Sequence, residues 1–148
     1  MNLTRRPATE QDVPRLLALR HDTMGGHLIA AGEIFDDVKQ LARVMDRLES
    51  VQVLLQENAI VGLFKVARDD TAWQIMQIQI APELQGRGIG AALVREVIAE
   101  ARVAKAALTL SVLKVNPARA LYERLGFRVE GESGLAYHMR WHEQHLPA

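Results

Sequence analysis

The segment that most restricts what this chain can fold into is Gln85-Gly86-Arg87-Gly88-Ile89-Gly90, which stands between a strand-like run ending near Ala81-Pro82 and a long helical pattern. Glycines let a backbone approach a ligand closely, and the first turn of a helix offers unpaired N–H groups at the positive end of its dipole. Strand, glycine turn and helix start in that order make a cradle for a phosphate, although the glycines alone would also suit a plain turn. Two familiar phosphate loops do not fit. A Walker loop needs Gly-Lys followed by Ser or Thr, but Ile89 follows Gly88, so the lysine and the magnesium-binding hydroxyl are both missing. A dinucleotide fingerprint sits at the first strand of a parallel unit, whereas this loop comes after a hairpin and past the middle of the chain.

The remaining pattern places that loop in an alternating array. Leu3 to Arg6 reads as a short strand ended by Pro7, and Thr9 to Asp12 as an acidic capping box that opens a helix from about Glu10 to Leu19. Ile34, Val38, Leu41, Met45 and Leu48 recur at helical steps and predict a second helix. Between the two, Met24-Gly25-Gly26-His27 reads as a flexible connection bordering a substrate cleft. Val51 to Gln56 and Ile60 to Val66 form a hairpin, and a third strand runs from about Trp73 to Ile80. In that strand the apolar parity flips near Ile75 and Met76, which a bulge or burial on both faces would equally explain. Leu93, Val94, Val97, Ile98 and Ala101 stripe the helix after the glycine loop, and Ala107 to Leu113 is the next strand. Asn116-Pro117 opens a short helix carrying Ala118, Leu121, Tyr122 and Leu125, which Gly126 stops. Phe127 to Glu130 and Ala136 to Trp141 are the last strands, joined through Gly131 to Gly134. The expected fold class is α/β in a mixed, mainly antiparallel sheet with helices on both faces, ordered β-α-α-β-β-β-α-β-α-β-β.

Composition narrows the chemistry. At 148 residues the chain has the length of one domain, 1–148. Eighteen basic residues balance eighteen acidic ones, so the whole chain lacks the field that favours nucleic acid or anionic membrane. No apolar run exceeds four residues, and none follows Arg5-Arg6 to form a signal, so a cytoplasmic protein is expected. The absence of cysteine removes disulfides, thiolate catalysis and Cys-type metal sites, and none of the five histidines forms a His-x-x-x-His pair; no metal is expected.

With Gln85-Gly86-Arg87-Gly88-Ile89-Gly90 after a strand ending Ile80-Ala81-Pro82, and Asn-Pro-Ala-Arg-Ala-Leu-Tyr-Glu-Arg-Leu-Gly-Phe from Asn116 to Phe127 downstream, the chain resembles the GCN5-related N-acetyltransferase superfamily. The two motifs lie in the family's order and on its elements. The resemblance implies acetyl-CoA as co-substrate, its pyrophosphate held by backbone amides from Arg87 to Ala91 within the Gln85 to Ala91 loop. It implies that Ile78, Gln79 and Ile80 pair with the pantetheine arm, a bulge there aiming an amide at the thioester carbonyl, and that Asn116 contacts the same arm. Asn116 also suits a simple helix cap. Tyr122 matches the family's general acid; it lies on the inward stripe of its helix, where its hydroxyl needs a polar partner, either the leaving thiolate or a backbone carbonyl.

Transfer to an amine requires that a proton leave nitrogen, that a tetrahedral oxyanion be stabilised and that sulfur be protonated. The first of these has no assigned residue. Relatives that acetylate protein N-termini often use a Glu on the strand before the Asn motif, where this chain has Ser111. Glu83, Glu33, Asp22, His27 and water oriented by Gln77 or Gln79 are weaker candidates, His138 could edge the substrate site, and Lys114, Arg119 and Arg87 could approach phosphates. The expected activity is direct acetyl transfer to the primary amine of a small molecule or peptide. The alternatives are an acyl-CoA-binding module without transfer, or an acceptor carried on protein or tRNA. Exposed late strands could pair a homodimer.

Overall fold

The computed structural model describes residues 3–33 and 36–143. It has seven strands, β1 (Thr4–Pro7), β2 (Val51–Gln56), β3 (Ala59–Asp69), β4 (Ala72–Ile80), β5 (Ala107–Leu113), β6 (Phe127–Ser133) and β7 (Ala136–Trp141). Four helices accompany them: α1 (Val13–Ala30), α2 (Asp37–Met45), α3 (Ile89–Ala104) and α4 (Ala118–Arg124). The strands form one sheet in the order β1-β2-β3-β4-β5-β7-β6, antiparallel throughout except for β4 beside β5. This is the expected mixed α/β architecture.

The helices lie on opposite faces of that sheet. Gln77 on β4 donates from Nε2 to the Arg43 carbonyl of α2 at 3.1 Å, while the neighbouring Ile78 points toward Gly90 of α3. Successive residues of a strand point to opposite faces, so α2 covers one side and α3 the other. Between them Leu16, Leu63, Val94, Val97, Leu108 and Phe127 are buried in one apolar core. The α2 side also holds a buried cation. Lys65 on β3, with no exposed surface, donates from Nζ to the carbonyls of Arg43 at 2.8 Å and of Asp46, so it caps the negative end of α2.

Three local expectations are corrected. Met24 to His27 is not a flexible connection, because α1 runs unbroken from Val13 to Ala30. Two helical glycines cost about 1 kcal/mol each against alanine, but burial of Leu16, Leu19, Arg20 and Leu28 offsets that cost. The apolar stripe of α2 does not face the core: Val38, Leu41 and Met45 are exposed, and Gln40 and Val44 are buried instead. Gln40 is drawn inward because its Oε1 accepts from buried Arg20 Nε at 2.6 Å. Ile34 of the predicted stripe lies outside the described residues. The last hairpin is longer than expected, with Gly131 to Ser133 in β6 and only Gly134-Leu135 at its turn.

Candidate active site

The parity flip in β4 is a bulge. Lys65 pairs with Gln77 and Val66 with Ile75, so Met76 is an extra residue between the two pairs. A bulge bends and twists its strand, and here it falls where β4 and β5 separate. Their parallel pairing covers Ala72–Ile75 against Ala107–Leu110 and then stops. Beyond it β5 continues its ladder only with β7, leaving the edge of β4 from Met76 to Ile80 facing an open wedge. A backbone edge of this kind can pair with an extended amide-bearing ligand.

At the mouth of the wedge the chain leaves β4 through Ala81 and a turn at Pro82–Leu84, then enters α3. Gly86 and Gly88 have φ of 76° and 81°, values that other residues adopt only with strain, and a Cβ at either would meet nothing within 4 Å. The loop therefore bends away from its own protein and leaves space over the first amides of α3, which no helical carbonyl can reach. Gln85 braces the turn by donating from Nε2 to the Ile80 carbonyl at 3.0 Å.

A cavity of about 820 Å³ fills the wedge and reaches both faces of the sheet. Ile78, Gln79, Ile80, Gln85, Gly86, Gly88, Ile89, Gly90, Ala91, Asn116 and Tyr122 all line it; Arg87, Lys114 and Arg119, singled out from the sequence as near phosphates, do not. Asn116 Oδ1 accepts from Ala118 N–H at 2.9 Å, so it does cap α4, and its amide NH2 is left for a ligand. Tyr122 is 8% exposed and packs edge-to-face on Phe127, ring centroids 6.0 Å apart. Among the described residues nothing bonds its hydroxyl, which answers against a backbone carbonyl as its partner. Burial raises the phenol above its usual range, which keeps it protonated.

Met24 and His27 border the cleft as expected, though from a helix: with Thr23, which the sequence reading missed, they occupy one face of α1 and close the cavity on the α2 side. Arg95 on α3 and Arg124 on α4 line it too, and among the described residues neither has an ionic partner. Lys114 and Arg119, by contrast, are paired with Glu132 and Glu123 and stand over the Tyr137 ring. Gln79 is 5% exposed and its Oε1 lacks a hydrogen-bond partner. Asp22 lies 3.8 Å from His21, and the exposed Glu33 does not line the cavity.

A sheet parted between two parallel strands, with a glycine turn and a helix start at the opening, is a cleft suited to an extended, phosphate-bearing ligand. The chain matches the family described as Acetyltransferase (GNAT) domain over residues 21–144, and it belongs to that family. It is 45% identical over 100 residues to a 5-NmdU N-acetyltransferase of Pseudomonas phage PaMx11, an overlap covering 62% of this chain and 69% of the phage protein. The PaiA N-acetyltransferase of Thermoplasma acidophilum, solved with coenzyme A, shares the fold at a TM-score of 0.74 and 14% identity, over 95% of this chain and 99% of its own. YncA of Salmonella typhimurium, solved with acetyl-CoA, superposes at a TM-score of 0.66 with 21% identity, over 100% of this chain and 99% of its own.

Proposed function

We propose that this chain moves the acetyl group of acetyl-CoA directly to a primary amine of a small molecule or peptide, without an acetyl-enzyme. The observation that carries the reading is the shared cavity, which is lined by the start of α3, the free edge of β4 and Tyr122 together. The glycine turn would hold the diphosphate, Ile78 to Ile80 would pair with the pantetheine arm, and the Asn116 amide would fix it beside α4. Those contacts would bring an acyl carbonyl to the wedge, where Tyr122 could protonate the departing sulfur. Arg95 and Arg124 suit the remaining phosphate charge. The amine enters from the side of Thr23, Met24 and His27, where the Gln79 amide oxygen is available to accept an N–H.

A buried acid kept protonated is of no use to a module that only binds, so transfer is favoured over sensing. The phage relative is named for 5-NmdU, which puts that amine in the acceptor panel beside polyamines, amino acids and peptides. The test is a thiol-release assay across the panel with calorimetry of acetyl-CoA. Acceptor-dependent release of free thiol supports the reading; tight binding with no release from any amine supports the module instead.

A further inference from the structure

The step with no assigned residue in the reading above is removal of the amine proton, and a cluster outside the cavity wall supplies chemistry for it. Ser111 on β5 lies 2.7 Å from Nδ1 of His138 on β7, and Ser133 on β6 lies 2.6 Å from Nε2 of the same ring. Both imidazole nitrogens are thus engaged by hydroxyls, and the ring can donate through only one of them while neutral. If Nε2–H donates to Ser133, Nδ1 is left to accept from Ser111, and the ring is held as a base directed at one serine.

Ser111 occupies a defined place in the fold. It follows Leu110, the last residue of β5 to pair with β4. Leu110 pairs with Ile75, and the Met76 bulge puts Ile75 and Gln77 on opposite faces, because their partners Val66 and Lys65 are neighbours on β3. Ser111 therefore projects on the face of Gln77 and Gln79, the face covered by α1 and α2, at the point where the wedge opens. Ser111, His138 and Ser133 are all solvent-exposed there, so a proton passed to the ring can leave to water.

We propose that Ser111, His138 and Ser133 form a proton relay that accepts the proton of the incoming amine. This rests on the transferase reading above. An acceptor ammonium becomes a neutral amide by losing two protons. The first passes from nitrogen through a water at the opening of the wedge to Ser111 Oγ as the Ser111 hydroxyl proton moves to His138 Nδ1, and the freed nitrogen lone pair forms the bond to the acyl carbon. The carbon–sulfur bond then breaks with its electron pair on sulfur, which takes the Tyr122 proton. Tyr122 recovers the second nitrogen proton through water, and the imidazolium releases the first to solvent. One ammonium and one thioester give one amide, one thiol and one proton.

The experiment compares wild type, Ser111→Ala and His138→Ala for kcat, KM of the amine and acetyl-CoA affinity between pH 6 and 9, with and without added imidazole. The charged and titratable groups near the ring are Arg140 on β7, Arg128 opposite it on β6, and Glu130 in the β6 bulge with His142 at 3.0 Å from it, so His142→Ala serves as the control that should leave the profile unchanged. The relay predicts that both variants keep acetyl-CoA affinity and lose turnover by about 10²-fold, that the acid limb of the wild-type profile disappears in His138→Ala, and that imidazole restores part of that variant's rate. A purely structural histidine would give neither the altered limb nor the rescue. Variants with wild-type turnover and profile overturn the relay alone. A wild type inert with every amine overturns the transferase reading and the relay together.

Discussion

Ile75 of β4 and Leu110 of β5 face each other as the last residues the two parallel strands share, and the Met76 bulge begins directly after them. That coincidence turns a continuous sheet into one with a cleft. Below the pair, buried side chains hold the strands together; above it, the β4 edge is free, and the glycine turn, Asn116 and Tyr122 gather around the opening.

Tyr122→Phe isolates the acid. The ring packs on Phe127 and among the described residues its hydroxyl has no partner, so removing the oxygen leaves the fold intact. Turnover should fall by roughly 10²–10⁴-fold while calorimetry shows acetyl-CoA affinity little changed. Because burial raises this phenol, its own ionisation should not limit the wild-type rate below the ordinary tyrosine range near pH 10. Unchanged turnover with chemistry rate-limiting would remove Tyr122 from the mechanism.

The two glycines flanking Ile89 should behave differently. Gly88 has φ of 81°, so Gly88→Ala strains the turn whether or not a ligand is bound. At Gly90 a Cβ meets only Ile78 Cδ1 at 3.9 Å, an ordinary contact, and alanine suits a helix better by about 1 kcal/mol. Gly90→Ala should thus keep or raise the melting temperature while weakening acetyl-CoA binding, through a methyl in the cradle. Undiminished binding would show that the diphosphate lies elsewhere.

Acid sensitivity should concentrate at Asp12. The Arg6 guanidinium donates to both carboxylate oxygens at 2.7 and 2.9 Å and Thr9 N–H adds a third bond, which together lower the carboxyl to about 2 from 3.8. A carboxylate whose folded value is depressed contributes stability that is complete above its unfolded value and is lost as pH falls through the folded one. Exposure of Arg6 screens the pair, so the stability it contributes is smaller than the shift alone implies. Thermal melts should therefore show wild type losing that increment between about pH 4 and 2, with Asp12→Asn lacking it throughout; parallel melting curves for the two would contradict the assignment.

The reversed face of α2 gives a contrast in stability. Val44 is 1% exposed and Val38 is 79% exposed. Val44→Ala should cost about 2 kcal/mol by chemical denaturation, and Val38→Ala less than about 0.5 kcal/mol. Equal costs would restore the periodic stripe to the core.

How far the sequence carried follows from which signals are local. Strand and helix order, the glycine turn, the Asn116 cap and the inward Tyr122 rest on spacing within a few residues, and each is visible in the chain. The parity break at Ile75-Met76 was visible too, but which explanation held depended on pairing with β3. The α2 stripe misled because periodicity reports a face and not its destination; Arg20 and Lys65, from distant segments, drew Gln40 and the helix end inward. The meeting of Ser111 with His138 depends on the β5–β7 register, and the gathering of Thr23, Met24 and His27 beside Gln79 on tertiary packing of a helix that its glycines disguised.

The most direct measurement is a titration of the isotopically labelled protein with acetyl-CoA, followed through its backbone amide resonances. The account predicts the largest shifts at Gly86 to Ala91 with a second set along Ile78 to Ile80, both saturating at the calorimetric affinity. Saturation with those amides unmoved and the shifts confined elsewhere would contradict it.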